Sequence, residues 1–210
     1  MGGSWLAISG QGRIAAVTNF REMDSRDYPR SRGELPVRFL EAQDSASDFA
    51  RLIHREGGHY AGFNALFYDG ASLVYYSNRT DTRPQTLPAG QYGLSNHLLD
   101  TPWPKVRRAK EALRRLPEQT DFEQWESHLT NAMQDRTKAP DQELPNTGVG
   151  KAMEQLLSPV FIQSPSYGTR ATSIISVEKE VIRFVEQGYD SLGRMASATR
   201  HTLKVNSAES

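Results

Sequence analysis

Amide and hydroxyl side chains set on a rigid loop are what a binding or reaction site needs, and residues 90–105 supply them. Ser95 and Asn96 stand among Gly90, Gly93, Pro102, Trp103 and Pro104. Such side chains can orient a polar ligand. Asn19 closes a strand-like run, where its amide could face a pocket or simply start a turn. Arg21, Arg26, Arg30 and Arg32 crowd the polar segment 20–33, mixed with Glu22, Asp24 and Asp27. A loop of that kind can stay solvated or close over an anionic ligand.

Other chemistries are excluded by residue type or spacing. The 210 residues include no cysteine, so disulfides, thiolate metal sites and a cysteine nucleophile are absent from this sequence. His54 and His59 are five apart across Gly57-Gly58 and would not share a helix face, so no metal site is expected there. Gly148-Val149-Gly150-Lys151 resembles a phosphate loop only superficially. Pro145 stands where the motif needs glycine, and Ala152 where it needs Ser or Thr. Lys plus Arg and Asp plus Glu balance at 25 each, which argues against a nucleic-acid or anionic-membrane partner. No window approaches the ~18 apolar residues of a membrane span. Met1-Gly2 lacks the Ser or Thr of a myristoylation start, because position 6 is Leu6. With no signal peptide evident, the expected location is cytoplasmic, where the sequon Asn78-Arg79-Thr80 would have no role.

The elements that must position these residues are legible from periodicity and turn chemistry. Trp5–Ser9 and 13–19 read as a hairpin around Gly10-Gln11-Gly12. Leu35–Leu40 starts a helix, and Ser45 or Ser47 caps a second whose stripe is Phe49, Leu52 and Ile53. Tyr60–Asp69 and Ser72–Asn78 form another hairpin about Asp69-Gly70. Residues 80–88 read as loop. Pro104 opens a helix carrying Val106, Ala109, Leu113 and Leu116, ended by Pro117. Thr120 and Glu123 suggest a capping box for a helix with the core stripe Phe122, Trp125, Leu129 and Met133. A short helix at Met153–Leu157 precedes strands at 173–177 and 181–185. The tail from Ser191 reads as frayed. Paired strands alternating with paired helices predict an α+β layered domain with antiparallel sheets.

Six segments, taken in order, resemble one family. They are Gly2-Gly3-Ser4-Trp5-Leu6, Thr18-Asn19, Ser31-Arg32-Gly33-Glu34-Leu35, Gly62-Phe63-Asn64, Gly93-Leu94-Ser95-Asn96 with Pro102-Trp103-Pro104-Lys105, and Tyr167-Gly168-Thr169-Arg170. Their order is similar to that of the NRDE family, named for an Asn-Arg-Asp-Glu motif and also called the transport-and-Golgi-organisation-2 family. The resemblance covers about residues 2–190 and implies an N-terminal-nucleophile-hydrolase-like fold, an αββα layered sandwich of mostly antiparallel sheets. Residues 1–190 would form a single domain and 191–210 a flexible tail. Family members begin Met-Cys with the NRDE motif soon after. Neither is present here, so the resemblance implies an N-terminally truncated sheet with an exposed edge open to self-association.

In that hydrolase fold a free N-terminal Cys, Ser or Thr attacks an amide carbonyl, with its own α-amine as base. By resemblance, Asn19 and Asn96 would be oxyanion donors and Arg170 a cation beside the nucleophile. Arg32, Asn64, Ser95 and Tyr167 complete the implied pocket, with Ser95-Asn96 as one wall and Tyr167–Arg170 as the other. No nucleophile is present to face it. The family's links to haem trafficking and acyl or lipid metabolism therefore imply small-ligand binding, with haem as a candidate ligand and no obligate cofactor. The alternative is a cysteine amidohydrolase whose nucleophile segment is absent from this sequence.

Overall fold

The computed structural model describes residues 3–116 and 121–205. Contacts group the chain into two compact units, the first running to Thr101 and the second Pro102–Val205. Each is an α+β unit with one antiparallel sheet, as the order of hairpins and helices predicts.

The first unit holds strands β1 (Leu6–Ile8), β2 (Ile14–Asn19), β3 (Phe63–Tyr68), β4 (Leu73–Ser77) and β5 (Gln85–Leu87), in that spatial order. β5 lies in the stretch read as loop. Its three residues pair with β4, and this ladder gives the short segment a strand geometry that its own pattern does not signal. Helices α1 (Glu34–Glu41) and α2 (Ala46–Glu56) lie between β2 and β3 in sequence. Ser45 caps α2 by accepting from the Asp48 amide at 3.1 Å.

The core of this unit is aromatic. Phe39 of α1, Phe49 of α2 and Phe67 of β3 form a triangle with ring centroids 5.0–5.2 Å apart. Phe63 and Tyr60 extend it, both wholly buried. Tyr60 carries its hydroxyl into the interior and donates to Glu34 Oε1 at 2.7 Å, while Arg38 donates to it in turn. Burial holds that phenol well above its ordinary pKa. Glu56 accepts from both Arg30 and Arg38, at 2.8 and 2.9 Å, and these contacts keep its carboxyl below the usual range. Segment 30–34 is thereby pinned to α2.

The second unit holds α3 (Pro104–Arg114), α4 (Phe122–Met133), α5 (Lys151–Leu156) and strands β6 (Ala171–Glu178), β7 (Val181–Tyr189) and β8 (Met195–Lys204), with β7 central. Pro104 opens α3 as expected. Pro117 and Thr120 lie outside the described residues. Asp121 caps α4, accepting from the Gln124 amide at 2.8 Å.

Two expectations are corrected here. The stretch read as a frayed tail contains β8, a ten-residue strand that pairs with β7 in one register from Lys204 to Ser197 and shifts at Gly188/Tyr189 before Met195. Its side chains are almost all exposed, so the backbone ladder rather than an apolar face holds it, and hydropathy gives no sign of it. On α4, Phe122, Trp125 and Leu129 are only half-buried and Met133 is exposed. The buried residues of that helix are Glu126 and Thr130.

Candidate functional site

Four of the sequence-predicted site residues converge at the C-terminal end of β2. Thr18 and Asn19 close that strand opposite Asn64 and Phe63 of β3. The loop from Gly90 folds back onto the same end. Thr18 Oγ1 donates to the Ser95 carbonyl at 3.0 Å, Asn96 Nδ2 donates to the Asn19 carbonyl at 3.1 Å, and the Arg21 amide donates to the Asn96 carbonyl at 2.7 Å. Asp100 closes the loop on itself by accepting from the Gly93 amide at 2.8 Å.

Beneath this clamp runs a buried relay. Asn64 is wholly buried, with Nδ2 donating to Thr18 Oγ1 at 3.3 Å and Oδ1 accepting from the Tyr75 hydroxyl at 2.9 Å. The Tyr75 oxygen accepts in turn from the Leu99 amide at 3.1 Å. Both Asn64 and Asn96 thus use their carboxamides to hold this protein together. His97 follows in the loop, its ring 4.8 Å from that of Phe20 and its Nδ1 2.9 Å from Thr101 Oγ1. Burial disfavours its imidazolium and lowers its pKa.

Arg32 sits on the pinned segment 30–34 and shares the Gly62 carbonyl with the Phe20 amide. It is half-buried, and Nη1 donates to the Gly62 carbonyl at 2.8 Å. Among the described residues no carboxylate lies within ion-pair distance of it. Desolvation accordingly pulls its pKa down, partly countered by the field of Glu22. Glu22 itself is taken by Arg79, whose Nε reaches both carboxylate oxygens at 2.7 and 2.9 Å. That contact keeps the Arg79 guanidinium firmly charged. A Cβ at Gly62 would stand 2.4 Å from the Glu22 carboxylate, so that side chain would have to shift away from Arg79 to admit one.

The segments that carry the family resemblance also pack on one another. Ser4 donates its amide to the Gly33 carbonyl at 2.9 Å, and a Cβ on Gly3 would stand 3.0 Å from the Gly33 backbone. Gly3 is therefore the position where the two segments approach too closely for a side chain.

Tyr167 and Arg170 belong to the second unit. They line a cleft of about 110 Å³ with Gln163, Ser164, Asp190 and Gly193 among its walls. The loop is held by the Thr169 amide donating to the Ile162 carbonyl at 2.8 Å, and by the Ile162 amide donating to Thr169 Oγ1 at 2.9 Å. Tyr167 and Arg170 are both exposed.

Sequence reasoning missed Tyr75, Arg79 and Asn78. Tyr75 reads as an ordinary strand aromatic, and only its register opposite Leu66 aligns it diagonally with Asn64. Asn78 reads as a sequon. Its Oδ1 accepts from the Phe63 amide at 2.8 Å and its Nδ2 faces the carbonyls of Gly57, Tyr60 and Ala61. Among the described residues no group of three or more metal-ligating side chains occurs, and no helix is long and apolar enough to cross a membrane.

Comparison with known proteins agrees with the family that the sequence resembles. The family described as Transport and Golgi organisation 2 matches residues 1–191. The bovine and human Transport and Golgi organization protein 2 homologs are each 34% identical over 194 residues, covering 85% of this chain and 69% of the relative. The mouse Transport and Golgi organization 2 homolog is 31% identical over 189 residues, covering 84% and 68%. This chain belongs to the Transport and Golgi organisation 2 family.

Proposed function

We propose that this chain binds and carries a small anionic ligand, haem or an acyl compound, and uses Arg32 to hold the ligand's carboxylate or phosphate. The observation that carries the reading is the state of that guanidinium. It is half-buried, anchored through one nitrogen to Gly62, and has no carboxylate partner among the described residues. A guanidinium held in place this way offers its remaining N–H groups as a fork for an anion, with little ordering cost on binding. The burial of Asn64, with its carboxamide bonded to Thr18 and Tyr75, supports binding over oxyanion catalysis at that residue.

The resemblance contributes the rest of the reading. It implies the αββα layering and a ligand-binding role for Tyr167 and Arg170. The alternative, amide hydrolysis by a cysteine-type enzyme, rests on the resemblance alone.

Titration of the purified chain with haemin, and separately with palmitoyl-CoA, tests the proposal. A saturable Soret shift or calorimetric isotherm is expected, weakened at least about tenfold by Arg32→Gln, the scale of one charge-assisted contact. Binding unaffected by Arg32→Gln, in a variant whose melting curve matches the parent, would remove the assignment.

A further inference from the structure

We propose that the recess between α4 and the β6–β8 sheet binds a small zwitterion bearing a primary ammonium, of the free α-amino-acid class. This inference is independent of the Arg32 reading and concerns the second unit alone.

The recess, of about 430 Å³, is lined along α4 by Glu123, Glu126, Ser127 and Thr130, which share one helical face, and from the sheet by Gln187 and Arg200. A helix that packs on a sheet ordinarily turns an apolar stripe inward. Here the residues turned inward are polar. Glu126 and Thr130 are only 7% and 8% exposed.

Two features mark these groups as more than packing. Glu126 Oε1 accepts from Arg200 Nη2 at 2.6 Å, and among the described residues neither side chain has another partner. A buried carboxylate with one oxygen still open favours a second cationic donor. Thr130 Oγ1 is buried and bonded to nothing among the described residues. A buried helical threonine commonly returns its hydroxyl to the carbonyl four residues earlier, which here is Glu126. This one does not, and it lines the recess instead.

Charge and shape select the ligand class. Glu123 and Glu126 outweigh Arg200 by one negative charge, which favours an ammonium over a second anion. Arg200, still able to use its other nitrogens, pairs with a carboxylate in fork geometry. Ser127, Thr130 and Gln187 supply neutral donors and acceptors between the two poles. An ammonium and a carboxylate on one small skeleton match this arrangement, and the volume suits a compact metabolite with accompanying water.

The test uses the full chain, with Trp125 on α4 as a fluorescence reporter and melting temperature as a second readout. L-serine, ethanolamine and lactate are titrated as zwitterion, ammonium and carboxylate probes. L-serine is expected to bind saturably and to be preferred over both single-charge probes. Thr130→Val, which keeps shape and removes the hydroxyl, should weaken L-serine about three- to tenfold. Arg200→Gln, at a mostly exposed position, should abolish the preference for L-serine over ethanolamine. The proposal is overturned if no probe gives a saturable response, if lactate binds best, or if both variants bind L-serine as the parent does while melting normally.

Discussion

The hydroxyl of Tyr75 and the carboxamide oxygen of Asn64 meet at 2.9 Å inside the first sheet, and the same hydroxyl oxygen accepts the Leu99 amide of the loop at 3.1 Å. One phenol thus ties the strand interior to the loop that carries Ser95 and Asn96. Burial raises its pKa, so it stays protonated and able to donate at any physiological pH.

Tyr75→Phe should leave Asn64 Oδ1 and the Leu99 amide without that partner. The expected cost is about 1–3 kcal/mol, concentrated in the loop. Amide exchange at Leu99 should quicken by more than that of the β3 core. Uniform loss of protection across the unit would show that the phenol acts on global stability instead.

Asn78→Ala removes the acceptor for the Phe63 amide and the donors facing three carbonyls. Urea denaturation should show a loss of at least about 2 kcal/mol, since a buried N–H is stranded at the start of β3. A glycan on Asn78 would disrupt the same bonds, so the sequon is occupied structurally.

His97 sets a pH dependence. Its folded pKa lies below the unfolded value of 6.5, so the unfolded chain takes up a proton first as pH falls. This contribution to stability is complete above that value. It declines below it and levels off once the folded imidazole also protonates. The difference in urea midpoint between about pH 7.5 and pH 5.5 should therefore shrink in His97→Asn. An unchanged difference would assign the acid loss to groups other than His97.

Gly168→Ala places a methyl group 2.9 Å from the Ile162 carbonyl, a backbone atom that cannot swing aside. About 1–3 kcal/mol of strain is expected. It should open the turn that carries Tyr167 and Arg170, seen as faster exchange at the Thr169 amide. A variant as stable as the parent would mean that the turn relaxes freely.

The sequence by itself determined the local structure and the family. Gly10-Gln11-Gly12 and Asp69-Gly70 fix two hairpins, Ser45 caps α2 and Pro104 opens α3. Each follows from backbone preferences and capping bonds within a few residues. Tertiary structure alone decided which polar groups are used up and which remain open. Thr18 reaches Ser95 across 77 residues, Arg32 reaches Gly62 across 30, and Arg200 reaches Glu126 across 74. Periodicity marks which side of an element is apolar, but partners at such separations depend on how the chain folds back. For that reason Asn64, which the resemblance places in a pocket, proves to be an interior strut. The apolar stripe expected on α4 gives way, for the same reason, to a buried glutamate and threonine, because the groups that face them come from β7 and β8.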